Sequence, residues 1–276
     1  MPRCCIGLCV KDSEDGLVKV LSNVDKLRVC FSDIRIVVAY DKSADASLRI
    51  LVDYKARHDD MVVIDVGNEH DYESAVARHV DRSQRIANAR NRIVGHIYKF
   101  YSTWEYFVMM DTNRYSCVSP IDTDVLVRCM KSKEWDALSF NRDPYYDIWA
   151  LSIPPLVLSC WHFPRHEQSI DAYRLLLRNR LGKLGPDEFL PVMSAFGGFA
   201  IYRTEKFVGC AYSGKFSIDM FPAGSVRRHC QILGSGVLPR PNDCEHRSFH
   251  VDAIKRNGAS VMISPLFLFP HAKDYS

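Results

Sequence analysis

The chain has 276 residues, 47% of them hydrophobic and 25% charged, with a formal net charge of +3 and a sequence pI of 8.3. That is ample apolar material for a core, and the length suits one large α/β domain. The mild charge balance, with no dense Lys/Arg run, argues against a nucleic-acid partner, and no run of ~20 apolar residues predicts a membrane span. The 10 cysteines show no metal-finger spacing, so they read as buried, reduced thiols. Met1 to Val10 leads straight into charged Lys11-Asp12. No signal peptide is therefore expected, and the protein reads as soluble and cytoplasmic.

Strand and helix signals alternate through the first half. Cys4 to Val10 is an apolar run, and Leu17, Val20, Leu21, Val24 and Leu27 then recur at helical spacing. Ile34 to Tyr40 is a β-branched run closing on Asp41, Ala44 to Arg57 reads as a helix, and Met61 to Val66 as a strand. Ile86, Ala89, Ile93, Ile97 and Phe100 mark one face of a longer helix; Tyr106 to Met110 is a strand that stops at Asp111. The second half is less regular. Trp135 to Phe140 and Tyr146 to Leu151 read as strands, Pro154 to Pro164 as a loop and Ser169 to Leu181 as a helix. Phe196 to Tyr202 is a Gly-broken strand, Cys244 to Asn257 a helix stopped by Gly258, and Val261 to Ile263 a last strand. The expected fold is α/β: a mixed, mostly parallel sheet flanked by helices, in one domain over 1–276.

Ligands of such sheets bind beyond the carboxyl ends of the strands. Asp111-Thr112-Asn113 stands there and offers two oxygen ligands, two residues apart, to a hard cation. The same tripeptide is also common turn chemistry. Arg85, Asn88 and Arg92 share a helix face that can meet a base, ribose or phosphate, within a cluster that includes Arg78, Arg82 and Arg90. Asp41, closing the second strand, can accept from ribose hydroxyls. Gly197-Gly198 permits close approach of backbone to a ligand, or a β-bulge. Asp243, Glu245 and His246 open a helix and could take a proton; His246 and His250, four apart, share a face and could ligate metal. Tyr145, Tyr146 and Trp149 could stack on a sugar or pack in the core.

Six segments occur in an order that resembles a known group of enzymes. They are Arg85-x-x-x-Ala89-Arg90-Asn91, the strand ending at Asp111-Thr112-Asn113, Trp135 to Phe140, Tyr145 to Leu151, Phe196-Gly197-Gly198-x-Ala200-Ile201-Tyr202 and Cys244-Glu245-His246-x-x-Phe249-His250. The set, over residues 80 to 265, resembles GT-A fold glycosyltransferases of the fungal capsule mannosyltransferase type, with relatives in large DNA viruses and bacteria. The resemblance implies a hexosyl- or pentosyltransferase that moves sugar from a nucleoside-diphosphate sugar to a glycan or glycoprotein hydroxyl, with Mn²⁺ or Mg²⁺. It implies metal at Asp111 and Asn113, a catalytic base at the start of the Glu245 helix, at Glu245 or His246, and a nucleotide-binding half over 1–115 followed by an acceptor-binding half over 116–276. The residues themselves add His250 as a candidate further metal ligand and donor contacts at Asp41, Arg85, Asn88, Asn91, Gly197 and Gly198. His246 stands where the family carries a second acid.

Two other readings compete. A sugar nucleotidyltransferase shares the layout, but Lys11-Asp12-Ser13-Glu14-Asp15-Gly16 is too acidic for a triphosphate loop. A non-catalytic nucleotide-sugar-binding protein is suggested by Asn113 and His246, both departures from the family pattern.

Overall fold

Strands buried on both faces dictate the architecture. A computed structural model describes residues 1–67, 82–238 and 240–270. Strands β1 (Arg3–Val10), β2 (Asp33–Tyr40), β3 (Met61–Asp65) and β4 (Tyr106–Asp111) are parallel, in the order β3-β2-β1-β4. The sheet continues from β4 through antiparallel β7 (Phe199–Arg203) to β5 (Ala137–Asn141), β8 (Val261–Phe267) and β6 (Leu190–Pro191). The expected mixed, mostly parallel sheet is thus observed.

Side-chain alternation splits the core in two. Ile36 and Val38 of β2, with Val108 and Met110 of β4, face one layer; Val37, Ala39, Phe107 and Met109 face the other. Helices α1 (Glu14–Leu27), α2 (Ser47–Lys55) and α4 (Thr123–Met130) cover the first layer through Leu17, Val20, Leu51 and Leu126. Helices α3 (Arg82–Phe100) and α7 (Glu245–Asn257) cover the second through Ala87, Ile93, Ile97, Phe249 and Ala253. Covering both faces is why the strands read as continuous apolar runs rather than alternating ones. Helix α5 (His166–Leu181) adds Tyr173 and Leu177 to the second layer, and α6 (Ala223–Leu233) packs Val226 and Leu233 on a smaller cluster around Phe163 and Phe221.

Three elements depart from the sequence reading. Tyr146 to Leu151 is not a strand: Ile148–Ala150 forms a 3₁₀ turn, with the Asp147 carboxylate accepting from the Ala150 amide at 3.2 Å. Helix α4 was not expected; Asp122 caps it, accepting from the amides of Asp124 and Val125 at 3.1 Å. Helix α6 was also not expected. Helix α7 begins one residue later than read and ends, as expected, at Gly258 with φ +61°. All ten cysteines are free thiols, and eight are buried. Among the described residues no helix is long and apolar enough to cross a membrane.

Candidate functional site

A cleft of about 520 Å³ opens at the carboxyl ends of β1, β2 and β4, within the range of small-ligand sites (roughly 300–1,000 Å³). One wall comes from α3, the opposite wall from Tyr146, Asp147 and Trp149, and the floor from Phe196 and the start of α7.

Asp111-Thr112-Asn113 forms the cleft edge because its middle residue is nailed down. The Thr112 hydroxyl donates to the Cys9 carbonyl at 2.7 Å and lies 3.0 Å from Ser13 Oγ. The first turn of α1 rests on the same loop at Gly16, where a Cβ would fall 2.6 Å from the Thr112 carbonyl oxygen. Only glycine allows that approach. The Asp111 amide donates to Gly198 O at 2.8 Å, carrying the β4–β7 pairing to the cleft. With Thr112 turned inward, Asp111 and Asn113 both line the cleft.

The centre of the site is Arg90, which is only 4% exposed. Its Nε donates to Glu245 Oε1 and its Nη2 to Asp111 Oδ1, both at 3.0 Å. The guanidinium also lies 4.7 Å from the Phe196 ring centroid and 5.8 Å from that of Tyr212. Burial pushes both the Asp111 and Glu245 carboxyls above their ordinary values, and Arg90 pulls each back. Burial likewise works against the charge of Arg90, but Glu245 and Asp111 overcome it. Asp147, on the facing wall, is pushed up to about 7 by burial, with Asp111 and Glu245 adding repulsion.

His246 completes the floor at 1% exposure, stacked on Phe196 with ring centroids 3.8 Å apart. Its Nε2 lies 3.6 Å from Glu245 Oε1, too long for a hydrogen bond. Burial, then Arg90 and His250, hold the ring neutral. Neither of its ring nitrogens has a hydrogen-bond partner among the described residues, and the same is true of the buried Trp149 indole N–H. Buried polar atoms are rarely left so.

Several expected site residues have other work. His250 does not face the cleft: it is fully buried, with Nδ1 3.0 Å from Ser194 Oγ and Nε2 3.2 Å from the Tyr202 hydroxyl. Both nitrogens are occupied, which corrects its assignment as a metal ligand. Asn91 clamps Tyr212, donating to its carbonyl at 2.9 Å and accepting from its amide at 2.7 Å. Asn88 lies off the cleft, accepting from Gln84 Nε2 at 2.9 Å. Gly197 and Gly198 serve packing rather than a ligand: both have positive φ, and a Cβ on Gly198 would fall 2.6 Å from Ser116 Cβ. Asp243 pairs with buried Arg247 at 2.8 Å.

Asp41 and Arg85 line the cleft as expected, with Asp41 bound to Lys11 Nζ at 2.7 Å. Arg78 lies outside the described residues. Helix α3 is rotated from the expected face: Ile86 and Ala89 line the cleft, while Arg90 turns inward beside Ala87 and Ile93. Sequence reasoning noted Arg90 and Asp147 only as members of basic and aromatic segments.

No family model matches the chain, and no curated protein matches it. Solved structures similar in arrangement include TarS 1–349 from S. aureus, 13% identical at TM-score 0.43, with 95% of this chain and 57% of that one covered. Another is glucosyl-3-phosphoglycerate synthase from Mycobacterium tuberculosis with Mn²⁺, UDP-glucose and phosphoglyceric acid: 10% identical, TM-score 0.47, with 96% and 70% covered. A third is a mannosyltransferase from Pyrobaculum calidifontis with GDP-Man and Mn²⁺: 13% identical, TM-score 0.43, with 96% and 57% covered. The chain thus spans little more than half the length of the first and third.

Proposed function

We propose that the cleft binds a nucleoside-diphosphate sugar and transfers its sugar to a hydroxyl of a glycan or glycoconjugate. The observation that carries this reading is one cleft whose lining joins the Arg90–Asp111–Glu245 cluster to Trp149 and His246, whose buried ring nitrogens have no hydrogen-bond partner among the described residues. Such a site is built for a polar ligand, and Arg82 and Arg85 on its wall suit a diphosphate. Asp41, in the same lining, can accept from ribose hydroxyls. Tyr146 and Trp149 add aromatic surface to the lining that can pack on a sugar.

The chemistry follows from these placements. The acceptor oxygen bonds to the anomeric carbon as the bond from that carbon to the β-phosphate oxygen breaks. The electron pair stays on the phosphate oxygen, and the acceptor proton goes to Glu245 or His246. His246 is neutral and so keeps a lone pair, and stacking on Phe196 fixes its ring plane beside Glu245.

The Mn²⁺ or Mg²⁺ implied by the resemblance meets a poor ligand set. Asp111 Oδ1 is taken by Arg90, and the Asn113 amide is tied at both ends, donating to the Tyr146 hydroxyl at 3.0 Å and accepting from Tyr115 N at 2.8 Å. Among the described residues no group of three His, Cys, Asp or Glu could hold a metal ion. These side chains do not make a metal site by themselves, and no step above is routed through one.

A thermal-shift screen of nucleotide sugars tests the reading. A true donor binds the folded state and raises the melting temperature; no shift from any of them would contradict the proposal. Pyrophosphate release from a nucleoside triphosphate and a sugar phosphate would instead favour a nucleotidyltransferase. Binding with no turnover across an acceptor panel would favour a non-catalytic binding protein.

A further inference from the structure

Arg90 is a buried cation in the lining of the cleft. It is clamped between two carboxylates by hydrogen bonds of 3.0 Å and packed over the Phe196 ring. A side chain held at so many points has little freedom to move aside. Two of its three guanidinium nitrogens are committed, and Nη1 has no hydrogen-bond partner among the described residues. With Arg82 and Arg85, which line the same cleft, three guanidinium groups stand against the carboxylates of Asp111 and Glu245, a balance that suits an anion better than a dication. An added metal on the second oxygen of Asp111 would also sit beside a fixed positive charge.

We propose that Arg90, rather than a divalent metal, supplies the fixed positive charge that binds the donor diphosphate and receives the leaving group. The proposal rests on the nucleotide-sugar reading above. As the bond from the anomeric carbon to the β-phosphate oxygen breaks, the electron pair remaining on that oxygen is met by the Nη1–H of Arg90. Arg82 and Arg85, on the same wall, face the rest of the diphosphate. A guanidinium suits this work because it stays charged and presents donors in a planar fork. Asp111 is then a positioning residue: with Glu245 it aims Arg90 and holds no metal. The same arrangement explains why Asn113 can be neutral and turned to Tyr146.

Isothermal titration calorimetry of the full chain with UDP, GDP, ADP and CDP, each in EDTA and in excess Mn²⁺, tests this. At least one nucleotide should bind equally well in both buffers, and Mn²⁺ alone should give no binding heat. The decisive variant is Asp111→Asn, checked for folding by its melting curve. If Arg90 carries the charge, Asp111→Asn, whatever its affinity, binds that nucleotide equally well in EDTA and in Mn²⁺, as the unsubstituted chain does. If a metal does, the unsubstituted chain binds far more tightly in Mn²⁺ than in EDTA and Asp111→Asn loses that difference. Arg90→Lys should weaken binding about tenfold or more, since one charge-assisted pair is removed. Should Arg90→Lys fail to fold, Arg85→Gln replaces it and must weaken binding in EDTA. Binding that requires Mn²⁺ overturns this inference and leaves the donor reading intact. Failure of all four nucleotides in both buffers overturns the donor reading and this inference together.

Discussion

Asp147 is held in the cleft wall at a cost in stability, and Asp147→Asn should relieve it. Its carboxyl is raised from 3.8 to about 7, first by burial and then by Asp111 and Glu245. Between those two values the folded protein binds more protons than the unfolded chain. This contribution therefore falls as pH rises through the window and levels off above about 7. Three units at 1.36 kcal/mol each set an upper bound of about 4 kcal/mol. Asp147 is partly exposed and shares its field with two other acids, which reduces the gain from Asn to on the order of 2 kcal/mol at pH 8. Asparagine keeps the oxygen that accepts from the Ala150 amide, so the 3₁₀ turn should persist. Urea unfolding of both proteins at pH 8 and pH 5 reads the effect directly. The gain should be clearly smaller at pH 5, where Asp147 is already mostly protonated in the folded state. An equal gain at both pH values, or a loss at pH 8, would refute the reasoning.

Other substitutions probe the scaffold beneath the site. Arg247→Met strands the buried Asp243 carboxylate and frees the carbonyls of Trp149 and Leu151, which should cost about 3–5 kcal/mol in urea unfolding. Gly198→Ala forces a side chain into φ +85° and against Ser116; a loss of about 2 kcal/mol or more is expected in the same assay. Burial pushes the thiols of Cys4, Cys5 and Cys244 upward. Iodoacetamide at pH 8 should therefore spare them in the folded protein, as read by mass spectrometry, and modify them in urea. Glu245→Gln should lower sugar transfer by about 100-fold or more if that carboxylate handles the acceptor proton.

The amino-terminal half was legible because its strands are buried on both faces. IRIVVAY and YFVMM declare themselves as apolar runs, and each delivers an acid to the sheet edge, Asp41 and Asp111. Helix α4 was missed because only Leu126 and Cys129 are buried on its eight residues, too few to set a period. Tyr146 to Leu151 looked like a strand because its apolar residues pack inward; the Asp147 bond to Ala150 and the Arg247 bonds to Trp149 and Leu151 curl it instead. Within the site, local spacing misled most where side chains reach far along the chain. The four-residue spacing of His246 and His250 places both on one side of α7, yet Ser194 and Tyr202 claim the second. Arg90 could not be told from its neighbouring arginines, because its partners lie 21 and 155 residues away. The two glycines of Phe196-Gly197-Gly198 were read as room for a ligand; the room is filled by Ser116 and Tyr145.

The most direct test of the account is the release of nucleoside diphosphate from a panel of nucleotide sugars, followed by chromatography with sugar acceptors present. The account predicts release from at least one donor, with a matching glycosylated product, and loss of both in Glu245→Gln despite a retained fold. No release from any donor, together with no donor-induced rise in melting temperature, would contradict it.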